Sequence, residues 1–233
     1  MQMLFEFTLA RAHLCHEVHR AAARFYLESE DRMEERLRCA LAHQAGAIGE
    51  VGTGDSQIQQ VNWLIRDLTE HLQREMQTWI DSTLQAVLNE GLRTIALTVE
   101  RQTDQLACVE QDESEAGLSE HKADRIVHEA FVRSTTAIME YERRTWSSGI
   151  LLARLLETAS VQAALRHAVA EEELREVVGW AYRREVFATL QQRVSAIGAI
   201  VEQECCTVQE QVLQARSAQR GQETRQDNAL IRS

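Results

Sequence analysis

Residues 190–215, LQQRVSAIGAIVEQECCTVQEQVLQA, carry the clearest periodic pattern in the sequence. Apolar or small side chains recur there at intervals of three and four residues, which is the spacing of one face of an α-helix. The positions on this face are Leu190, Val194, Ile197, Val201, Cys205, Val208, Val212 and Ala215. The stretch predicts a long amphipathic helix, and its one repeated interval of four indicates a local unwinding of the seven-residue coiled-coil repeat.

Three other stretches continue this pattern towards the N-terminus. They run from Leu14 to Ala40, from Ile65 to Val109 and from Val127 to Ala159. Two breaks separate them. The first is the glycine-rich stretch 46–54, because four glycines in nine residues cannot hold a helix, and the second is the acidic stretch 111–118. We expect helices over about 3–45, 56–111 and 119–219.

The last of these helices loses its phase between residues 156 and 173. Either it bends there and continues or it ends and a new helix begins, and we prefer a single kinked helix because no Gly, Pro or turn cluster marks a stop. Beyond residue 219 the sequence is polar, so we expect residues 220–233 to form a disordered tail.

Composition supports a fold built from uninterrupted helices. The chain of 233 residues contains no proline, although average usage of about 5% predicts roughly a dozen. Proline breaks a helix interior because it removes a hydrogen bond and clashes with the preceding turn. The predicted fold class is all-α, with three or four very long amphipathic helices in one elongated antiparallel bundle or coiled coil spanning 1–219.

The net charge of −11 excludes several classes of partner. Nonspecific nucleic-acid binding needs clustered positive charge, so we expect no nucleic-acid partner. The same charge disfavours an anionic membrane surface. No stretch approaches 18 consecutive apolar residues, so we predict no membrane span.

The five cysteines show no paired spacing, and their number is odd. This pattern predicts free thiols in a reducing compartment, and hence a cytoplasmic protein. Cys205 and Cys206 are adjacent, so they point in different directions from a helix. We favour packing roles for both over the alternative of a redox switch.

His13, His16 and His19, together with Cys15, form the densest group of metal-capable side chains. Zinc would need a second such pair nearby. Cys39 and His43 have workable helical spacing, but they lie far along the same predicted helix. We therefore predict no metal, although the question stays open for the three histidines.

No motif in the sequence predicts catalysis or cofactor binding. Helical-bundle enzymes with paired metals use Glu-x-x-His, and no histidine here has Glu three residues before it. No nucleophile signature surrounds any cysteine. We expect no catalytic residue and no cofactor, and we predict that the protein is not an enzyme.

Long amphipathic helices need a companion surface to bury their apolar stripes. We therefore predict a structural or scaffolding coiled-coil protein that mediates protein–protein assembly in a cytoskeletal, tethering or complex-assembly role. We expect protein partners and a homodimer. The candidate partner-binding residues are Trp63 and Trp146, because Trp is enriched at hot spots, and the seam positions Val194, Ile197, Val201 and Val208.

In the number and length of its helices, the whole chain also resembles the BAR-domain plan, although no motif carries the likeness. The resemblance implies an antiparallel homodimer that shapes membranes through a curved basic face. The charge departs from that plan, since residues 119–170 hold only seven basic against six acidic side chains. The implied contact set would be Arg125, Arg133, Arg143, Arg144 and Arg154.

Overall fold

A computed structural model describes residues 2–42, 54–109 and 120–230. These residues form helices and contain no strand, so the predicted all-α class is confirmed. The helices are α1 (Gln2–Ala42), α2 (Gly54–Trp79), a π-helical segment (Ile80–Leu84), α3 (Gln85–Val109), α4 (Glu120–Thr145), α5 (Ser148–Leu156), α6 (Ala159–Arg166), α7 (Glu171–Phe187) and α8 (Leu190–Leu230).

The helix expected over 56–111 is continuous from Gly54 to Val109, with the π-helical segment in its middle. A π-helical turn inserts extra length into an α-helix and so shifts which residues face inward. The shift falls where two neighbouring residues of the apolar stripe, Trp79 and Ile80, are both buried.

The region from 120 to 230 forms five helices in place of the single kinked helix that we preferred. Each of Ser147, Thr158 and Ala170 precedes a helix in an extended conformation, which a continuing helix cannot contain. Ser147 also caps α5, because its hydroxyl accepts a hydrogen bond from the Ile150 backbone N–H. Two of the breaks lie within 156–173, where the apolar pattern loses its phase.

The C-terminal helix is longer than the sequence predicted. α8 continues to Leu230, whereas we expected a disordered tail from residue 220. Residues 222–230 include Gln, Glu, Arg, Ala and Leu, which favour helix, and no proline stops them. Polarity alone therefore did not predict disorder, and residues 231–233 of the predicted tail lie outside the described residues.

Ala168 has an unusual backbone conformation, with a φ of 46°. It follows the last turn of α6, where its N–H donates to the Leu165 carbonyl and the Val169 N–H donates to the Ala164 carbonyl. This pair of hydrogen bonds is the Schellman motif that ends many helices. The motif requires one residue in the left-handed backbone conformation, and that residue is usually glycine. An alanine here stores strain because its Cβ crowds the backbone.

Replacing Ala168 with glycine should therefore stabilise the protein. The left-handed strain of about 1–2 kcal/mol is relieved, and the extra freedom of glycine in the unfolded chain offsets about 0.4–1 kcal/mol of that gain. We expect a net gain of about 0.5 kcal/mol in urea unfolding. The matched control, Ala163→Gly inside α6, should lose stability, and a loss for Ala168→Gly as well would contradict the strain.

The chain divides into two compact units, where we predicted one bundle over 1–219. Unit 1 comprises residues 1–20, 82–137 and 196–233, and unit 2 comprises residues 21–81 and 138–195. Within the described residues, α1, α4 and α8 each contribute to both units. The sequence pattern shows which face of a helix is buried but not which helix covers it, so it did not separate the two units.

In unit 1, the chain's own helices bury the seam on α8. Its core includes Leu14, Val18, Leu88, Leu92, Ile95, Val99, Ile126, Val127, Ile197, Val201, Cys205, Val208 and Val212. α1 and α3 approach so closely that a Cβ on Gly91 would overlap the side chain of Leu14. Because these stripes are already covered, a second copy of the chain is not needed to bury them, and the homodimer stays a prediction.

In unit 2, the short helices complete the core. α5, α6 and α7 pack on one another and on α2, while Phe25 of α1 stacks on Trp79 with ring centroids 5.0 Å apart. The buried apolar residues here include Met33, Ile65, Leu68, Leu72, Met76, Leu151, Leu155, Val161, Leu174, Val178 and Val186. The breaks after α4 therefore allow the chain to fold back and cover α2.

Candidate functional site

Unit 2 holds a buried ion pair in the Arg193 cluster, which we define as Arg193, Glu142, Tyr26 and Trp146. Arg193 is fully buried and forms an ion pair with Glu142, which is 4% exposed. The Arg193 Nε donates to Glu142 Oε1 at 3.3 Å, and the Tyr26 hydroxyl donates to the same oxygen at 2.6 Å. The guanidinium also lies over the rings of Trp146 and Tyr26, 4.4 and 4.8 Å from their centroids.

The pKa values of two buried tyrosines are raised in this environment. Burial, reinforced by the charge of Glu142, raises the pKa of Tyr26 well above its ordinary value. Burial also raises the pKa of Tyr182 to about 12. Both hydroxyls therefore stay protonated and act as hydrogen-bond donors, Tyr26 to Glu142 and Tyr182 to the Thr69 hydroxyl at 3.4 Å.

The Arg193 cluster has the properties of a structural element. The charges of Arg193 and Glu142 neutralise each other, and the adjoining cavity of about 30 Å³ has room for little more than water. A substrate has no space beside the carboxylate. The cluster therefore joins α1, α4 and α8 within unit 2.

A better candidate for recognition is the Trp180 cleft, also in unit 2. It is an open cleft of about 570 Å³ between the start of α6 and the outer face of α7. Its lining residues are Thr158, Ser160, Glu176, Val177, Trp180, Ala181, Arg184 and Glu185. Trp180 is 50% exposed and also borders a second open cleft of about 340 Å³.

Ion pairs at its base hold the Trp180 side chain in place. The guanidinium of Arg183 lies 5.1 Å from the centroid of the Trp180 ring. The same group is paired at 3.1 Å with Glu30 and at 3.0 Å with Glu34 on α1. Since two carboxylates of α1 hold Arg183, the indole that rests on it is presented to solvent in a defined orientation.

The structure places the six predicted partner-binding residues in two environments. Trp63 on α2 is 60% exposed, so it is open to a partner. Trp146 packs under Arg193, and the other four lie in the cores of the units. Those four are Val194, Ile197, Val201 and Val208. A side chain that its own chain covers cannot meet a partner in this arrangement, so we carry forward only Trp63 and add Trp180.

Four arginines of the implied membrane-contact set are paired with carboxylates. Arg125 pairs with Glu129 at 2.8 Å and Arg133 with Glu204 at 3.0 Å, while Arg154 pairs with Glu185 at 3.0 Å. Arg144 pairs with Glu140. Paired charges attract anionic lipid less than unpaired ones, so this observation does not favour the membrane-shaping alternative.

His13, His16 and His19 are exposed on α1, and His43 lies outside the described residues. Among the described residues, no group of three or more His, Cys, Asp or Glu side chains has a metal-binding arrangement. In the same part of the chain, no helix combines the length and the apolar character that crossing a bilayer requires.

These surfaces are the basis for any functional assignment. The chain matches no protein-family model, no curated protein and no solved structure.

Proposed function

We propose that the protein is a helical scaffold that assembles with other proteins, and that the Trp180 cleft binds an amphipathic helix of a partner. The observation that carries this proposal is the indole of Trp180, which is half exposed and held in place by Arg183. Trp is the residue type most enriched among the side chains that dominate binding energy.

The sequence of α7 supports a helical occupant. Its inner face is buried through Leu174, Val178 and Tyr182. Val177, Trp180 and Ala181 form a second apolar stripe at the helical intervals of three and four, and this stripe faces the cleft. Ridges at this spacing are what another helix packs against.

The shape and charge of the cleft also fit a protein segment better than a small molecule. Sites for small ligands enclose most of the ligand surface, whereas the Trp180 cleft is open along its length. Its rim carries charges of both signs, Glu176 and Arg184. An apolar centre with a mixed polar rim is the usual composition of a protein–protein interface.

The test uses helical peptides selected from a display library against the intact chain, with affinities then measured by fluorescence anisotropy. Trp180→Ala should weaken the selected peptides at least about tenfold, since a hot-spot Trp contributes more than about 1.4 kcal/mol. Trp63→Ala shows whether the other exposed indole of unit 2 also contributes, and Leu97→Ala is the control, because it removes an exposed apolar side chain that lines neither cleft. Peptides that bind Trp180→Ala as tightly as the unmodified chain would refute the proposal.

We also infer that the protein works in a reducing compartment such as the cytoplasm. Cys15, Cys205 and Cys206 are free thiols, and free thiols persist where glutathione keeps them reduced. A structural role among cytoplasmic protein partners, without catalysis, agrees with the open cleft and the neutralised interior charges.

A further inference from the structure

The outer face of α7 carries two opposite charges at equal distances along the helix from Trp180. Glu176 lies four residues before Trp180, and Arg184 lies four residues after it. All three side chains are exposed and line the Trp180 cleft. Because residues four apart lie on the same side of a helix, they form one row of acid, indole and base, which we call the α7 row.

Both charges of the α7 row are open to a second molecule. Within the described part of the chain, Glu176 and Arg184 take part in no ion pair. The neighbouring Glu185, by contrast, is paired with Arg154 at 3.0 Å. An ion pair with another molecule would therefore replace only water at Glu176 and Arg184.

The order of the charges makes the α7 row complementary to a second copy of itself. Two identical helices that cross antiparallel at Trp180 bring each Glu176 opposite the Arg184 of the other copy. A two-fold axis through the crossing generates both ion pairs from one surface, which is the geometry of an isologous interface. Parallel helices in register would instead bring like charges together, which is repulsive.

The apolar part of the cleft also suits an indole. Val177, Trp180, Ala181 and Arg184 all line the cleft, and they have the spacing of the four residues that receive a side chain from a facing helix. Ala181 is small and leaves room at this position. In an antiparallel pair, the indole of each copy can therefore enter the cleft of the other.

We propose that the helix that occupies the Trp180 cleft is α7 of a second copy of this chain, in a two-fold symmetric dimer whose α7 helices cross antiparallel. This inference rests on the proposed function, because it names the occupant of the same cleft. The charge order of the α7 row carries it, since Glu176 and Arg184 complement each other only across the two-fold axis.

Exposed apolar side chains beside α7 can enlarge the contact. Stable interfaces bury about 1,200–2,000 Å² in total, so residues outside α7 need to contribute. Leu27 is exposed three residues before Glu30, which lines the second cleft. Ile150 is exposed four residues before Arg154, which pairs with Glu185. Helical spacing places Leu27 and Ile150 on the same sides of their helices as these charged residues.

Sedimentation equilibrium of the intact chain over the micromolar range tests the dimer. We expect a concentration-dependent equilibrium between monomer and dimer. Glu176→Arg or Arg184→Glu alone creates two like-charged pairs across the axis, so each should raise the dissociation constant at least about tenfold. Arg74→Glu is the matched control and should leave the constant unchanged, because it reverses an exposed arginine of α2 that lines neither cleft.

Mixing the two single variants tests the antiparallel register. In a mixed dimer, the introduced arginine faces the introduced glutamate, and the native Glu176 of one chain faces the native Arg184 of the other. The mixture should therefore dimerise about as tightly as the unmodified chain. The double variant Glu176→Arg with Arg184→Glu should do the same, because it exchanges both charges together.

Three results would overturn the inference. They are a chain that stays monomeric, a dimer that neither charge reversal weakens, and a mixture that dimerises no better than its two components. The proposed function is judged separately by the selected peptides. Peptides that lose affinity for Trp180→Ala while the chain stays monomeric would refute only the second copy as the occupant, and peptides that bind Trp180→Ala unchanged would refute the helix-binding cleft itself.

Discussion

Glu142→Ala should destabilise the protein by about 3–5 kcal/mol, which is the expected loss when one member of a buried ion pair is removed. The substitution leaves the guanidinium of Arg193 fully buried and without its carboxylate. It also removes the acceptor of the Tyr26 hydroxyl. Urea unfolding, monitored by far-ultraviolet circular dichroism, measures the change.

A double variant distinguishes the loss of the pair from the burial of a lone charge. Glu142→Leu combined with Arg193→Met removes both charges and keeps apolar volume, so it should be far more stable than Glu142→Ala. Glu70→Ala is the control. It removes an exposed ion pair, in which Arg66 Nε lies 2.7 Å from Glu70 Oε1, and exposed pairs contribute little to stability. If Glu142→Ala unfolds at the same urea concentration as the unmodified chain, the pair is not buried in solution.

The faces of the long helices could be predicted because they depend on local spacing. The periodic positions Leu14, Val18, Ala22, Phe25 and Met33 on α1 are all buried. The seam from Val194 to Ala215 on α8 is buried as well. Residues spaced three or four positions apart lie on one side of a helix, whichever element covers that side.

The Arg193 cluster could not be predicted, because a charged residue at a core position looks the same in sequence as one at the surface. On α4 the buried residues follow a strict interval of four through Ser134, Ile138 and Glu142, and the buried Trp146 directly after the helix continues it. The apolar pattern that we predicted from Val127 to Ala159 passes from Ile138 to Tyr141 and Thr145 instead, at intervals of three and four. A strict interval of four that included Glu142 was the available signal, but its countercharge lies 51 residues away in sequence.

Trp146, which directly follows α4, and Trp180 on α7 show the same limit in the candidate site. Both have the residue type that is enriched at hot spots, yet Trp146 is 3% exposed and Trp180 is 50% exposed. Trp180 lies outside the inner stripe of α7, whereas Trp146 directly follows α4 and continues the inner stripe of that helix. Which residue lines a cleft depended on breaks at Ser147, Thr158 and Ala170, and no Gly or Pro lies beside the last two.

Stability should fall as the pH rises from about 10 to 12, because the tyrosines of unit 2 resist ionisation only in the folded state. An unfolded tyrosine loses its proton near pH 10, whereas folded Tyr182 keeps it to about 12. Between these values the unfolded chain binds fewer protons, so the free energy of unfolding decreases with pH. The free energy of unfolding falls by about 1.4 kcal/mol per pH unit for each such group. For Tyr182 the total loss between pH 10 and 12 is roughly 2.7 kcal/mol.

Tyr182→Phe isolates the contribution of this residue. At neutral pH the variant should be about 0.5–1 kcal/mol less stable, because it lacks the hydrogen bond from Tyr182 to Thr69. Thr69 keeps a partner, since its hydroxyl still donates to the Ile65 carbonyl at 2.7 Å. Above pH 10 its stability should decline less steeply than that of the unmodified chain, so the two curves converge or cross. Urea midpoints at each pH, with tyrosinate absorbance on the same samples, measure both effects. Other groups that titrate in this range act on both proteins and cancel in the difference. Parallel curves between pH 10 and 12 would therefore mean that the Tyr182 hydroxyl is reached by water in the folded protein.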